Sequence, residues 1–534
     1  MFNNIVELLN FRTAEHSDKP FLYSEADARE WTYNEFNHSV NRTANLLISR
    51  GIKKGDVVSL LLPNSAEYII AYFACWKIGA IAGPVNSLLK AEEIEWVVGN
   101  SQSKLLMTDD TIIASGSLNG VREGIDTITN WPPADAGGSD TIADINIDAD
   151  NEAIIIYTSG TTGKPKGCLL THGNLLANAR QIAEWLGFGS DDRLLTVMPL
   201  FHMNAVTVTT MTALYAGAST VVSPKFSASR FWDIIEKYGV TSFGSVATML
   251  SMLLNVSSEQ RAVSSDRNEP LAAHRSPLTS LRFAMCGSAP VPAEVLRKFE
   301  ETFGVLVIEG YGLSESTCRS TFNPPNDNRR PGSCGLPIGN EMRIVDEEDN
   351  EVPNGTLGEI VLRGPNIFKG YFKNPEATEK AFAGGWFHTG DIGYRDAEGF
   401  FYIADRKSDM IIRGGENIYP REIDDLLYSH PAVAHAAVIG VPDELYGEEV
   451  AAFIVLKDGY AGSPPYEGGV AAALGGRGGS LITQEDIIDF CKLHLADFKC
   501  PKTVHFVDDI PKGPTGKLLK RELAKTARDL LQDV

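Results

Sequence analysis

The sequence predicts an α/β fold divided into at least two domains. Its 534 residues exceed what one hydrophobic core organises. Residues 1–150 alternate between amphipathic helical patterns and short apolar runs bounded by turn residues. That alternation predicts β-α-β units and therefore a sheet of parallel strands.

Local signals place the individual elements. Thr32 begins a helix, with Glu35 completing a capping box, and Gly51 ends it. The apolar run 56–62 predicts a buried strand, and Ser65 begins the next helix. Further patterns predict strands at 80–84, 153–156, 193–197, 217–222, 241–245 and 281–287, a helix at 171–186, small-barrel strands within 357–372 and a surface excursion at 257–276.

Composition excludes several classes of protein. The net charge of −21 argues against general binding to nucleic acid or an anionic membrane, which needs a basic face. Seven cysteines without a CxxC pair favour reduced, packed thiols over disulfides or zinc. No HExxH, GxSxG or GxGxxG motif occurs. The N-terminus lacks the flanks of a signal peptide and no apolar stretch approaches about 20 residues, so we expect a cytoplasmic protein without a membrane span.

Residues 157–167, YTSGTTGKPKG, follow a buried strand and carry the parts of a polyphosphate site. Three glycines let the backbone approach a ligand, while hydroxyls, backbone N–H groups and two lysines supply donors and positive charge. A generic loop of this composition is more often an ordinary polar loop. The segment 157–167 is not a Walker A loop, because only two residues separate Gly160 from Gly163, whereas that motif has four.

The whole string resembles the signature phosphate loop of the adenylate-forming enzymes, which include acyl-CoA synthetases, firefly luciferase and peptide-synthetase adenylation domains. The resemblance implies a large N-terminal domain of α/β subdomains with a small barrel, followed by a small, mobile α+β C-terminal domain. It also implies that ATP is bound by Thr158, Ser159, Gly160, Thr161, Thr162 and Lys166.

Residues 310–316, GYGLSES, resemble a second motif of this family. A glutamate on a Gly-rich turn is usually only solvated, and beside a phosphate loop it would repel ATP unless it held the neutralising Mg²⁺. The resemblance assigns Mg²⁺ to Glu315 and Thr158, adenine to Tyr311, and the α-phosphate to Ser314. The other nucleotide-binding positions that it implies are Ser288, Glu309 and Gly310, of which Ser288 and Gly310 also border the acyl pocket.

Residues 385–391, GWFHTGD, end in an aspartate that would by itself be read as a turn residue. They resemble the family's WFHTGD element, in which a carboxylate accepts both ribose hydroxyls. The resemblance therefore assigns ribose to Asp391 and to Arg406, whose guanidinium has a fixed donor geometry.

A lone histidine after an apolar strand, such as His202, is more often a packing residue than a catalyst. In the family, however, an aromatic–His pair at this point lines the acyl pocket and gates it, so His202 is also a catalytic candidate by resemblance. The acyl-pocket positions are Phe201, Met203, Asn204 and Val246. Residues 198–250 look closer to the carnitine/crotonobetaine ligases than to long-chain or coumarate ligases.

The resemblance divides the chain into an N-terminal domain (1–405), a hinge (406–409) and a C-terminal domain (410–534). Ser408 stands at a hinge position that is commonly Asp or Lys in relatives. The Gly-rich residues 459–480 are interpreted as a flexible insertion to which no function is assigned.

Two segments of the C-terminal domain match functional segments of the family. Gly414, Gly415 and Glu416 match the loop that shapes the tunnel for CoA. The segment 511–520, PKGPTGKLLK, is by composition a basic surface loop, but it resembles the segment that carries the catalytic lysine, here Lys517.

The sequence therefore predicts an AMP-forming acid–CoA ligase that uses ATP, Mg²⁺ and coenzyme A. It would activate a small carboxylic acid to an acyl-adenylate and transfer the acyl group to CoA. Two alternatives stay open: loading of an acyl group onto a carrier protein in trans, and a nucleotide-binding paralogue that has lost its chemistry. The intact Glu315, Asp391, Arg406 and Lys517 argue against the second. The sequence names no acid and leaves a homodimer as an open alternative to a monomer.

Overall fold

The structure is a computed structural model that describes residues 2–114, 118, 125–129, 141–142, 145–158, 165–263, 280–287, 293–414, 416–443, 445–462, 480–513, 518–520 and 522–525. The chain divides into two compact units. The first comprises Met1–Val291, Leu296–Arg343 and Val361–Thr389, and the second comprises Pro292–Val295, Ile344–Ile360 and Gly390–Val534.

Helices and strands alternate along most of the described chain. The helices are α1 (Ile5–Glu15), α2 (Tyr33–Ser49), α3 (Ala66–Lys77), α4 (Ala91–Asn100), α5 (Asp110–Ala114), α6 (His172–Leu186), α7 (Thr212–Ala216), α8 (Phe231–Tyr238), α9 (Ala247–Val263), α10 (Ala293–Phe303), α11 (Pro375–Ala381), α12 (Pro420–Ser429) and α13 (Gln484–Lys492). A π-helix spans Asn204–Met211, and short 3₁₀ turns span Ser314–Ser316, Ala383–Gly385 and Asp497–Lys499.

The first eight strands along the described chain are β1 (Pro20–Ser24), β2 (Glu30–Thr32), β3 (Val57–Leu60), β4 (Ile81–Pro84), β5 (Leu105–Met107), β6 (Asp126–Ile128), β7 (Glu152–Thr158) and β8 (Lys166–Thr171). The next are β9 (Arg193–Thr196), β10 (Ser219–Val222), β11 (Ser242–Ser245), β12 (Phe283–Cys286), β13 (Leu306–Glu309), β14 (Thr321–Phe322), β15 (Leu336–Pro337), β16 (Glu341–Val345), β17 (Gly358–Arg363) and β18 (Gly370–Tyr371). The last are β19 (Phe387–Arg395), β20 (Phe401–Arg406), β21 (Ile411–Arg413), β22 (Glu416–Ile418), β23 (Val433–Asp443), β24 (Gly447–Leu456), β25 (Tyr460–Gly462), β26 (Ser480–Ile482) and β27 (Thr503–Phe506).

One seven-stranded sheet of the first unit has the order β13-β12-β11-β9-β10-β1-β2. All its neighbours run parallel except β1 and β2. Ser245 of β11 lies beside Cys286 of β12, which lies beside Glu309 of β13. The carboxyl ends of these three strands therefore meet at one edge, which is where open α/β sheets bind ligands. We call it the carboxyl edge.

The other seven-stranded sheet has the order β18-β8-β7-β4-β3-β5-β6. Strands β7, β4, β3, β5 and β6 pair in parallel, while β8 pairs antiparallel with both β7 and β18. The run Ile154, Ile155 and Ile156 in β7 is buried, as expected of a strand covered on both faces. This sheet contains β7 and β8, the two strands that flank the predicted phosphate loop in the sequence.

In the second unit, strands β22-β21-β24-β23 form a sheet, with β27 pairing in parallel with β24. Ile423 and Leu427 of α12 and Ile487 of α13 pack into its buried cluster. The apolar spacing of these amphipathic helices places one face on the sheet. The division between the two units passes through β16, β17 and β19.

Most local predictions are confirmed. Thr32 and Glu35 form the predicted capping box, and Ser65 and Thr171 cap α3 and α6. All seven cysteines are buried and free. Helix α1 was not predicted, although Asn4 caps it by accepting from the backbone N–H of Glu7, a spacing that is visible in the sequence.

Two local predictions differ from the structure. Residues 257–263 of the expected surface excursion continue helix α9, and its remaining residues, 264–276, lie outside the described residues. Gly370–Tyr371, expected in a small barrel, instead pairs with β8. Asp391 lies inside β19, directly after the predicted turn glycine, Gly390, which adopts a φ of 71°.

Candidate active site

The hairpin of β7 and β8 frames the predicted phosphate loop. Thr158 and Lys166, the last and first residues of the two strands, face each other as a directly paired set. Tyr157 and Gly167 pair one step further into the hairpin. A Cβ on Gly167 would lie 3.0 Å from Ile155, so the strands pack closely here. The chain that links them is thereby held at both ends on a rigid sheet.

Glu315 brings a buried carboxylate to the mouth of this hairpin. It lies on the 3₁₀ turn Ser314–Ser316 and is 8% exposed. Its Oε1 accepts hydrogen bonds from the hydroxyl of Tyr371 at 3.1 Å and from Oγ1 of Thr158 at 3.4 Å. Its backbone oxygen accepts from the N–H of Phe368 at 2.8 Å. Both ends of the residue are therefore tied to the sheet that carries the hairpin.

Tyr371 is the member of this group that the sequence analysis missed. It pairs with Cys168 across β18 and β8, and Nζ of Lys166 lies 5.1 Å from the centroid of its ring. Burial, and then the negative charge of Glu315, raises the pKa of Tyr371 well above its usual value, so the phenol stays protonated and donates. We call Thr158, Lys166, Glu315 and Tyr371 the phosphate-side cluster.

The donor set of this cluster fits Mg²⁺. Carboxylate and hydroxyl oxygens are hard ligands, and Mg²⁺ usually takes one or two carboxylates, with the remaining positions filled by water and substrate phosphates. Among the described residues, no three His, Cys, Asp or Glu side chains form a metal-binding group. A magnesium ion at Glu315 would therefore complete its coordination with water and phosphate oxygens.

The residues that lead up to Glu315 form a tight turn after β13. A Cβ on Gly310 would lie 2.6 Å from the ring of Phe322, and one on Gly312 only 2.1 Å from the carbonyl oxygen of Cys318. Only glycine therefore fits at these two positions. Tyr311 is buried and its N–H donates to Oγ1 of Thr321 at 3.1 Å.

Glu309 has a different setting from Glu315. Its carboxylate is buried and accepts from the N–H of Gly332 at 3.0 Å, while its backbone oxygen accepts from Asn323 at 2.8 Å. These bonds hold the loop that follows β14 against the end of β13. Ser314, by contrast, is half-buried on the same turn as Glu315.

The predicted acyl-pocket residues follow strands β9 and β11 of the sheet that also contains β13. The rings of Phe201 and His202 lie 4.8 Å apart, and the π-helix Asn204–Met211 follows directly. Such π-helical turns are frequent at functional sites. Burial lowers the pKa of His202 to about 4, so the imidazole is neutral near pH 7. Asn64, which the sequence analysis did not single out, holds the preceding loop through Met198 and Leu200.

Asn204 stands in an incomplete polar environment. It is 4% exposed, and neither its Oδ1 nor its Nδ2 has a hydrogen-bond partner within the described ranges. A Cβ on Gly244 of β11 would lie 2.6 Å from Oδ1, so the amide lies against that strand. Val246, also a predicted pocket residue, is buried at the end of β11.

In the second unit, the two predicted ribose residues lie on paired strands. Asp391 of β19 is directly opposite Arg406 of β20, and Nε of Arg406 lies 3.1 Å from Oδ1 of Asp391. Asp391 is 4% exposed, whereas the Arg406 side chain is 44% exposed. Asp405 accepts from the N–H groups of Arg406 and Arg421 at 2.7 and 2.8 Å. The arginine therefore orients the aspartate and keeps donors exposed.

The predicted hinge and CoA residues follow along the same unit. Ser408 lies in a turn after β20 and donates to Oδ1 of Asp409 at 2.9 Å. Gly414, with a φ of 60°, ends β21 and donates to the carbonyl oxygen of Tyr446 at 2.8 Å. Glu416 begins β22 and is exposed.

Several predicted positions lie outside the described residues: Ser159, Gly160, Thr161, Thr162, Ser288, Gly415, Lys517 and most of the Gly-rich segment 459–480. The residues on either side of Lys517 are described. Lys512 and Leu518 form an antiparallel bridge, and Leu519 donates to the carbonyl oxygen of Pro511 at 2.8 Å. Nζ of Lys520 lies 2.6 Å from Oδ2 of Asp424, which anchors this segment to α12.

The two α/β sheets, the hairpin of β7 and β8 and the buried carboxylate at its mouth fit a nucleotide-dependent, adenylate-forming enzyme. Comparison with known proteins agrees. The profile of the AMP-binding enzyme family matches residues 10–372, and that of the AMP-binding enzyme C-terminal domain matches residues 422–517. The chain belongs to the AMP-binding enzyme family.

Individual relatives are CoA ligases. The chain is 33% identical to the sulfoacetate–CoA ligase of Cupriavidus necator, over 99% of this chain and 98% of the relative. It is also 33% identical to the crotonobetaine/carnitine–CoA ligase of Citrobacter koseri, over 98% of each chain. The crystal structure of ATP-bound MatB from Rhodopseudomonas palustris superposes with a TM-score of 0.85 at 31% identity, over 99% of this chain and 100% of that one.

These comparisons confirm the predicted class. The chain is an AMP-forming acid–CoA ligase, a class that uses ATP, Mg²⁺ and CoA, and CoA is favoured over a carrier protein as the acceptor. The predicted fold class is confirmed as well. Within the ranges that the structure describes, no helix has both the length and the apolar character needed to cross a membrane.

Proposed function

We propose that the phosphate-side cluster holds the triphosphate of ATP while this chain joins a small carboxylic acid to AMP and then to CoA. The observation that carries this proposal is the buried carboxylate of Glu315, 3.4 Å from the hydroxyl of Thr158 at the mouth of the loop-bearing hairpin. A buried carboxylate beside a phosphate-binding loop is unfavourable unless a cation lies between them.

The assigned residues supply what this reaction needs. A carboxylate that attacks the α-phosphate brings two anions together, so the site must neutralise charge and align the reacting groups. Mg²⁺ at Glu315 supplies positive charge for the phosphate oxygens. Lys166 adds a second cation beside the hairpin, and Thr158 with the hydroxyls of Ser159, Thr161 and Thr162 donates to the phosphates. Tyr371 holds Glu315 in one orientation by donating to it.

The first half-reaction forms a bond between a carboxylate oxygen and the α-phosphorus and breaks the bond to pyrophosphate, which leaves with its electron pair. We assign Lys517 to bridge the substrate carboxylate and the α-phosphate as a fixed charge, not as a base. Ser314 contacts the α-phosphate. Tyr311, together with Ser288, Glu309 and Gly310, borders the adenine.

The second unit contributes ribose binding and the thiol step. Asp391 accepts the ribose hydroxyls, and Arg406, paired with it at 3.1 Å, holds it in one orientation. We propose residues 406–409, with Ser408 at their centre, as the hinge between domains 1–405 and 410–534. Turning there would withdraw Lys517 and bring Gly414, Gly415 and Glu416 to the CoA path. The CoA thiol gives its proton to water and its sulfur bonds to the acyl carbon. The bond from that carbon to the phosphate oxygen breaks, and AMP leaves with the electron pair.

The acid is bound at the carboxyl edge by Phe201, His202, Met203, Asn204 and Val246. The substrates of the two relatives differ in charge, since sulfoacetate carries a sulfonate and carnitine a trimethylammonium group. The relatives' names therefore do not indicate whether the acid of this chain carries a second negative charge or a positive one. We further propose that the enzyme acts in the cytoplasm. Light scattering of the full chain would distinguish a homodimer from a monomer.

The test of this function is pyrophosphate release by the full-length protein across a panel of carboxylic acids, with and without CoA. We expect turnover that requires ATP, Mg²⁺, CoA and one preferred acid, with an acyl-CoA identified by mass spectrometry. Sustained release that is independent of CoA would favour a carrier protein as the acceptor. No release with any acid would contradict the assignment of catalytic roles to these residues.

A further inference from the structure

Arg319 is a buried arginine that has no counter-charge in the described part of the chain. It is 1% exposed. One nitrogen, Nη1, lies 3.2 Å from the carbonyl oxygen and 3.4 Å from the sulfur of Cys318. The other two, Nε and Nη2, are buried without any hydrogen-bond partner among the described residues. A guanidinium cannot shed its proton in a protein, so this position is strongly unfavourable unless an anion joins it.

The partners of other arginines show what Arg319 lacks. Nη1 of Arg282 lies 2.8 Å from each carboxylate oxygen of Asp192. Arg413 pairs with the buried carboxylate of Glu449 and stacks over the ring of Tyr446. Among the described residues, the guanidinium of Arg319 lies over the ring of Phe322, whose centroid is 5.4 Å away. An aromatic face attracts a cation, but it does not replace a carboxylate for two unpaired donors.

The backbone holds Arg319 in this place at a cost. Asn178 accepts from its N–H at 3.1 Å and donates to its carbonyl oxygen at 2.6 Å, and Asn366 donates to the same oxygen at 3.2 Å. The two residues before it, Thr317 and Cys318, have φ of 64° and 148°. Such values are strained for residues with a Cβ, and strain of this kind persists where the surroundings impose it, often at ligand sites.

The guanidinium lies at the carboxyl edge. A Cβ on Gly287, the residue after β12, would lie 2.7 Å from Nη2 of Arg319 and 2.7 Å from the carbonyl oxygen of Gly310, the residue after β13. The neighbouring strand β11 ends in Ser245 and is followed by Val246. Arg319 therefore lies beside the strand ends to which the proposed function assigns the nucleotide and acyl pockets.

We propose that Arg319 binds a second anionic group of the substrate, so that this ligase acts on small acids that carry a carboxylate or sulfonate besides the carboxylate being activated. The activated carboxylate cannot fill this role throughout, because its charge is lost when its oxygen bonds to phosphorus. A second anion keeps its charge in the adenylate and in the thioester. A trimethylammonium acid would meet the guanidinium as a like charge. This inference rests on the proposed function.

The first experiment compares kcat/KM of the full-length enzyme for matched acids. Malonate, succinate and sulfoacetate are set against acetate, butyrate and crotonobetaine, with ATP, Mg²⁺ and CoA saturating. We expect an anionic acid to be preferred by about 10²-fold or more, because a buried charge left without its partner is penalised on that scale. Preference for a neutral or cationic acid would overturn the inference while leaving the ligase function intact.

The second experiment replaces the arginine. Arg319→Met should lower the anionic-to-neutral ratio of kcat/KM by about 10²-fold, and Arg319→Lys should recover part of it. Arg282→Met is the matched control: it breaks an ion pair in the same unit and should leave the ratio unchanged. If Arg319→Met instead raised the KM for ATP equally with every acid, the anion would be a nucleotide phosphate and the inference would fail.

A binding measurement covers the remaining outcomes. Calorimetric titration of the wild type and of Arg319→Lys with the dicarboxylates does not require turnover. We expect binding that weakens in the variant. Equal affinity of both proteins for the anionic acids would contradict the inference, even if Arg319→Met did not fold or no acid were turned over. Absence of turnover with every acid would contradict the proposed function separately.

Discussion

Two regions of the first unit treat buried polar groups in opposite ways. In the phosphate-side cluster, the Glu315 carboxylate accepts from Tyr371 and Thr158 and is tied to the sheet through its backbone. At the carboxyl edge, both amide atoms of Asn204 and two guanidinium nitrogens of Arg319 are buried without a partner in the described chain. The buried polar side chain of the first region has hydrogen-bond partners among the described residues, whereas those atoms of the second region have none there.

The difference follows from what each region must recognise. Every acid that is activated meets the same triphosphate and metal ion, so a preorganised cluster with satisfied hydrogen bonds serves all of them. The acid itself distinguishes one ligase from another. Buried polar groups without partners bind a matching substrate and penalise one that lacks the matching group. Substitutions in the phosphate-side cluster should therefore lower the rate by the same factor for every acid. Substitutions at the carboxyl edge should change the rate by different factors for different acids.

The largest effect is expected at Lys517, which extends this comparison to the second unit. Lys517→Ala should lower the rate of adenylate formation by at least about 10³-fold for every acid, because a fixed charge aimed at the developing transition state is removed. Thiolysis of a supplied acyl-adenylate should be spared. Pyrophosphate exchange and CoA-dependent AMP release measure the two half-reactions separately.

Lys512→Ala is the control for Lys517→Ala, since Lys512 lies in the same segment and pairs with Asp509 at the surface. We expect both half-reactions of that variant to stay within about twofold of the wild type, as surface ion pairs contribute little. Equal loss of both half-reactions in Lys517→Ala would show that the segment, and not the lysine charge, is responsible.

Glu315→Gln should give the next largest effect. It keeps the shape of the side chain but removes the charge that would hold Mg²⁺, so kcat should fall by about 10²–10³-fold. The ratio of rates between any two acids should not change, and raising Mg²⁺ should recover part of the loss. Steady-state rates over a magnesium titration with two unrelated acids measure both statements.

Glu341→Gln provides the comparison for Glu315→Gln. Glu341 pairs with Arg363, and both side chains are more than half exposed. Its rate should match that of the wild type at every magnesium concentration. A change in acid preference in Glu315→Gln would contradict the separation between the two regions.

The confirmed predictions are those in which local sequence dictates local structure. The caps at Thr32, Ser65 and Thr171 need only a side chain and an N–H two or three residues on, so a short window suffices. The buried run in β7 is likewise visible in the sequence. The resemblance then implied the class of enzyme, which the comparisons confirm.

The sequence could not reveal the partners that come from far along the chain. Tyr371 lies 56 positions after Glu315, and the carboxylate reaches it only because β18 pairs with β8. The incorrect assignment of Gly370–Tyr371 to a barrel hid the same contact. Arg319 reads as an ordinary polar residue of a turn, because burial and missing partners are properties of the folded chain alone.

Tyr371→Phe tests whether the hydrogen bond from Tyr371 holds the Glu315 carboxylate in position for Mg²⁺. The variant removes one donor to a buried carboxylate, so the free energy of unfolding should fall by about 1.5–3 kcal/mol. The magnesium concentration at half-maximal rate should rise, by about tenfold for each 1.4 kcal/mol of lost metal affinity. Urea unfolding and a magnesium titration measure these changes.

Tyr402→Phe makes the same chemical change in the second unit, where the hydroxyl lies 3.3 Å from Oδ2 of Asp396. It should leave the magnesium requirement unaltered. If Tyr371→Phe altered stability without moving the magnesium requirement, Tyr371 would support the fold and not the orientation of Glu315.

The smallest effect should have the opposite sign, at Asn204. Replacing this unpaired buried amide by leucine, which has a similar shape, removes polar atoms that pay a desolvation penalty without a hydrogen bond. Asn204→Leu should therefore raise the free energy of unfolding by about 1 kcal/mol while lowering kcat/KM for the preferred acid.

Asn178→Leu is the matched control, because that buried amide is paired with Arg319 and Gln181. It should destabilise the protein by about 1–3 kcal/mol. Urea unfolding of the two variants side by side decides the comparison: loss of stability in both would mean that Asn204 is as well satisfied as Asn178, and that the carboxyl edge is not kept open for a substrate.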